Sequence, residues 1–167
     1  MKRRLAISSA AIALLALIAG CSFFGGDEPN YTNWEPELSP DGRTLVYETP
    51  EGEEDLELYT RDVTTGETRQ LTFNETADWS PTWSPDGDRI AYASVTGEGD
   101  DQNVDVYVID LATLEIERLT THGKVDVNPH WAVDGRIYFN SDRSGAWEIY
   151  SIDPETKTLT IITDSGG

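Results

Sequence analysis

The sequence predicts an all-β fold: three four-stranded antiparallel units, the blades of a partial β-propeller. Three observations carry that expectation. First, the chain repeats itself without insertion. Tyr59, Tyr107 and Tyr150 are each followed three residues on by an aspartate (Asp62, Asp110, Asp153). Three further on comes a threonine (Thr65, Thr113, Thr156), and six beyond that an aliphatic-Thr pair (Leu71-Thr72, Leu119-Thr120, Ile162-Thr163). Second, apolar residues within each unit alternate at period two, as in Val104, Val106 and Val108, which marks strands. Third, no long helical window follows residue 20. Units of four strands recurring every 48 and then 43 residues are propeller blades.

Residues 1–20 read as an export signal: Lys2, Arg3 and Arg4, then an apolar run from Leu5 to Ile18 broken only by Ser8 and Ser9. The run is shorter than the roughly 20 residues a permanent membrane-spanning helix needs. Ile18-Ala19-Gly20-Cys21 resembles the lipobox of prokaryotic lipoproteins, which implies that Cys21 carries the lipid. Residues 21–30 lack any period and read as a lipidated flexible tether.

Blades are expected over about 34–72, 79–120 and 127–163, within a domain of residues 31–167. Strands are predicted at 34–38, 44–49, 56–62 and 68–72 in the first. The block Ser-Pro-Asp-Gly at Ser39–Gly42 and Ser84–Gly87 puts proline and glycine where a tight hairpin turn wants them. The third copy has Val133 in place of the proline and is one residue shorter. Asp62-Val-Thr-Thr-Gly66 is a second hairpin. Asp41, Asp86 and Asp134 recur in the turns and are expected to accept backbone N–H groups.

Trp83-Ser-Pro-Asp-Gly87 followed by Ile90-Ala-Tyr92, and Ser141-Asp-Arg-Ser-Gly-Ala-Trp-Glu-Ile-Tyr150, resemble the WD-like repeats of the TolB propeller family over about residues 34–163. The resemblance implies an extracytoplasmic setting. It also implies a separate N-terminal domain and a six-bladed ring, whereas this chain offers a short tether and three blades, half of such a ring.

Composition limits the function. With 12 basic and 31 acidic residues the net charge is −19, so no nucleic acid is expected as a partner. Loss of residues 1–20 removes three basic residues and no acid, leaving −22. One cysteine excludes an internal disulfide, and two histidines leave little for a metal centre. His122 and His130 with Asp126 and Asn128 are weighed as metal ligands and read instead as a polar connector. Asp101, Asn103 and Asp105 match only the first half of a calcium loop, since Val106 stands where glycine is needed. A weak cation site at Asp100, Asp101 and Asp105 is the residual reading. Neither Gly-x-Ser-x-Gly nor HExxH occurs.

No catalytic residue, metal or cofactor is therefore expected. The partner-facing candidates are Glu53, Glu54, Asp100 and Asp101 in the acidic loops, with Asp126, His130 and Trp147. Among Trp34, Trp79, Trp83, Trp131 and Trp147, only Trp147 beside a Ser-Gly loop is a surface candidate; the others pack between blades. The expected function is a non-enzymatic, lipid-anchored cell-envelope protein, periplasmic or at the cell surface, whose blades bind another envelope protein and which pairs into a homodimer closing a six-bladed ring. The alternatives are a metal-assisted glycan lyase or hydrolase, which some TolB-like propellers resemble in using a histidine-bound metal, and a truncated relative without independent function.

Overall fold

The computed structural model describes residues 34–51, 55–97 and 102–164, which lie in a unit running from Thr32 to Gly167. Twelve strands form three sheets. The first blade is β1 (Trp34–Leu38), β2 (Thr44–Glu51), β3 (Asp55–Asp62) and β4 (Thr68–Gln70). The second is β5 (Asp78–Trp83), β6 (Arg89–Thr96), β7 (Asn103–Asp110) and β8 (Ile116–Arg118). The third is β9 (Asp126–Trp131), β10 (Ile137–Ser141), β11 (Glu148–Ile152) and β12 (Leu159–Ile161). Each sheet keeps its strands in sequence order, every neighbour antiparallel. The outermost strands are three residues long, shorter than the sequence suggests; the Leu-Thr or Ile-Thr pair beyond them still donates its first N–H to the third strand, from Leu71 to Leu58, Leu119 to Val106 and Ile162 to Ile149.

Hairpin chemistry follows the repeated turn. Gly42, Gly87 and Gly135 have φ of +72°, +79° and +85°, which an L side chain adopts only at a cost. In each turn the aspartate accepts a backbone N–H two residues on: Arg43 to Asp41, Asp88 to Asp86 and Arg136 to Asp134, at 3.0, 3.1 and 3.0 Å. Ser39 and Ser84 add hydroxyls that accept the N–H of Thr44 and Arg89. Ala132 cannot, and Val133 in the proline position is 97% exposed. A Gly87→Ala variant is expected to lose about 1–2 kcal/mol in urea unfolding. The cost is conformational, since the added Cβ would meet Pro40 at an ordinary 3.7 Å.

Every innermost strand bends at the residue before its proline. Glu35, Ser80 and Asn128 have φ of 44°, 52° and 54°, and the register slips in β1, β5 and β9 at that point. The bend turns a backbone N–H away from its own sheet. Ser80 N–H is donated to the Glu48 carboxylate of the first blade at 2.7 Å.

Blades stack through alternating faces. Val46, Leu58 and Leu71 of the first blade bury against Trp83, Ile90, Tyr92 and Ile109 of the second. Ala91, Val106, Val108 and Leu119 of the second bury against Trp131, Ile137, Phe139, Tyr150 and Ile152 of the third. A stacked aromatic pair recurs at the same place in each blade, Tyr47–Tyr59, Tyr92–Tyr107 and Phe139–Tyr150, with centroids 6.0, 5.8 and 6.1 Å apart; in the second and third blades that face meets the preceding blade.

Candidate functional site

The repeated acids are spent on the fold. Asp62, Asp110 and Asp153 each accept two backbone N–H bonds in their hairpins. Those bonds favour the charged form and hold these carboxyls below their ordinary range. A second set lies two residues before each repeat tyrosine. Glu57, Asp105 and Glu148 accept the hydroxyls of Thr72, Thr120 and Thr163, whose oxygens in turn accept the N–H of Leu58, Val106 and Ile149. This is the task of the aliphatic-Thr pair: it ties the end of each outer strand to the third strand.

Two of the acids read from sequence as surface groups are structural. Asp126 does not face a partner. It is fully buried, and the Arg143 guanidinium lies 2.7 Å from both its oxygens, over the rings of Phe139 and Tyr150. The fold closes Arg143 onto it from 17 residues away. Asp105 likewise is buried and held by Arg118 at 2.8 Å and by Thr120, so it belongs to its blade. Burial raises its carboxyl, while Arg118 works against that rise. Glu53, Glu54, Asp100 and Asp101 lie outside the described residues, as does Cys21. Among the described residues no group of three His, Cys, Asp or Glu side chains is placed to hold a metal ion.

What remains open is a sheet face. The first blade buries Val46, Leu56, Leu58 and Leu71, each no more than 8% exposed. The strand registers put Tyr138, Trp147 and Ile149 at the third-blade positions of Val46, Leu56 and Leu58, and Ile162 stands where Leu71 does. There Trp147 is 49%, Ile149 39% and Ile162 49% exposed, and Tyr138 is half-buried. Trp147 thus holds the repeat position that Leu56, buried at 8% exposure, holds in the first blade. Ile149 and Ile162 carry no reactive group that would mark them in the sequence. Their signal was the repeat alignment itself.

The edge of this face carries the residue whose counterparts accept a hydrogen bond at the two earlier joints. At the first joint the Glu37 carboxylate accepts the N–H of Trp83 at 3.1 Å, and the Glu37 carbonyl accepts the indole N–H. At the second, Thr82 Oγ1 accepts the N–H of Trp131 at 3.2 Å. The third-blade residue in this series is His130, which is exposed. His122 is exposed too, in the connector before β9, and the two are not gathered around Asp126.

A family model described as the TolB beta propeller domain matches residues 36–167. No curated protein matches the chain significantly. Among solved structures, one described as a TolB of Agrobacterium tumefaciens is 29% identical with a TM-score of 0.70, over 78% of this chain and 46% of its own. TolB of Acinetobacter baumannii is 26% identical with a TM-score of 0.69, over 80% of this chain and 33% of its own. An oligogalacturonate lyase of Vibrio parahaemolyticus, 13% identical with a TM-score of 0.62 over 79% and 41%, shares the fold alone. The chain spans less than half the length of these relatives. With three concordant blades and a family match over most of its length, this chain belongs to the TolB beta propeller domain family.

Proposed function

We propose that the chain is a non-enzymatic, lipid-anchored cell-envelope protein whose TolB-like blades form a protein-interaction module, with the open face of the third blade as its docking surface. One observation carries the reading: positions buried in the first blade, two of them also buried in the second as Val106 and Leu119, are exposed in the third, where Trp147, Ile149 and Ile162 form an apolar patch around a half-buried tyrosine. Such a patch, edged by the polar groups of His130 and Asn128, has the make-up of an interface centre with a polar rim. The TolB neighbours support a setting outside the cytoplasm. The Ile18-Ala19-Gly20-Cys21 tetrad supports lipid attachment at Cys21. Activity on acidic polysaccharide with added calcium, manganese or zinc would overturn the non-enzymatic part.

Two measurements test it. Capture from membrane extract with the tagged chain should recover a bound protein, and Trp147→Ala should cut the recovery about tenfold or more, as loss of an interface anchor does. Equal recovery with both chains would remove this face from the interaction. In cell fractionation, Cys21→Ser should move the protein out of the membrane fraction; if it stays there as fully as the parent chain, Cys21 is not the anchor.

A further inference from the structure

We propose that the occupant of the open third-blade face is the first blade of a second copy of this chain, the two copies closing head to tail about a two-fold axis into one ring of six blades. This rests on the reading of that face as an interaction surface. The argument comes from the joint the chain already makes twice. On one side of each joint stand an apolar triad and an acceptor: Val46, Leu58 and Leu71 with Glu37, then Ala91, Val106 and Leu119 with Thr82. On the other stand a stacked aromatic pair, an isoleucine and a tryptophan whose N–H meets that acceptor: Tyr92, Tyr107, Ile90 and Trp83, then Phe139, Tyr150, Ile137 and Trp131.

Among the described residues, the first and third blades each carry one half of such a joint on their outer faces. The third blade offers Tyr138, Ile149 and Ile162 with His130 as acceptor. The first blade offers the Tyr47–Tyr59 stack, Leu45 and, where the tryptophans stand, Leu38. Leu38 is 48% exposed although Trp83 and Trp131 are each 5% exposed. One surface is the complement of the other, so a second copy repeats the established joint at each of its two ends and leaves no blade face open. The segment shared with the Agrobacterium TolB makes up 46% of that longer chain. A net charge of −19 on each copy opposes pairing, and salt screens it.

The test uses the full chain in cells. A photoreactive p-benzoylphenylalanine at position 149 should, on irradiation, give a product of twice the chain's mass whose linked peptide comes from the first blade. A Leu38→Cys, His130→Cys double variant should give oxidised dimers in yields that rise with salt, while neither single variant does, since the ring brings 38 of one copy to 130 of the other. Both positions are exposed, so the fold tolerates the changes. A cross-link to a different protein would overturn self-pairing while sustaining the interaction surface. An absence of any cross-linked product would overturn both, and a ladder of ever larger oligomers would overturn closure.

Discussion

An Arg143→Met variant should unfold about 3–5 kcal/mol more readily than the parent chain, with an unchanged dependence on urea concentration. Asp126 is fully buried at the start of β9, and the guanidinium supplies both of its charge-assisted hydrogen bonds at 2.7 Å. The Arg143 side chain is itself only 11% exposed, so little solvent screens the pair. Methionine keeps much of the contact with Phe139 and Tyr150 but strands a carboxylate in an apolar joint. The loss should shrink to a small fraction in the double variant Asp126→Asn, Arg143→Met, because the buried charge then leaves with its partner. Equal losses in both variants would mean that Arg143 acts through packing alone.

Stability should fall as pH rises from about 4.5 to 8, and Glu48→Gln should flatten most of that fall. Glu48 is 3% exposed, and burial between the first two blades pushes its carboxyl up to about 8, with the nearby Glu35 adding to the rise and the Ser80 N–H opposing it. Asp78, fully buried, is raised by burial to about 6; its Oδ2 accepts the Asn74 amide at 2.7 Å and its Oδ1 lacks a hydrogen-bond partner. A folded-state value above the unfolded one means that the native chain keeps a proton the unfolded chain has released. Each such group therefore costs stability at roughly 1 kcal/mol per pH unit through the window between its two values. The hairpin aspartates shift the other way, and their contribution disappears only as pH falls below the carboxylate range. Glutamine at position 48 can still accept the Ser80 N–H, so the variant should be the more stable of the two at pH 8 by on the order of 3 kcal/mol and nearly equal to the parent at pH 4.5. Parallel stability–pH curves for both chains would show that Glu48 is not the group responsible.

The repeat, the strand order and the glycine turns could all be read in the sequence, because they depend on local steric rules and on spacing that three copies state independently. The bend before each proline could not. Glu35, Ser80 and Asn128 differ in their side chains, and what they share is a positive backbone angle, which at Ser80 hands the N–H to the Glu48 carboxylate of the neighbouring blade. Acids mislead for a related reason. From sequence Asp126 is a partner-facing candidate and Asp105 part of a weak cation site, yet each is buried and paired with an arginine of its own blade. For Trp147, exposure was legible while its role was not. Beside a Ser-Gly loop it reads as an isolated surface aromatic, and only the repeat spacing places it in line with Leu56, which the first blade buries.

Each sheet is built from four strands consecutive in the chain, and that local wiring bears on how the protein comes to exist. A ribosome releases the chain vectorially, and no blade has to wait for a segment made later in order to close its own ladder. The first blade has all its strands once residue 70 has emerged, the second once 118 has. Contacts distant in sequence arise only when a finished sheet lies down on the one before it, a step between preformed surfaces with little loop entropy left to lose. Synthesis therefore lengthens the stack one blade at a time, and at every stage the nascent chain carries, besides the outer face of its first blade, a leading face that stays uncovered until the next blade arrives.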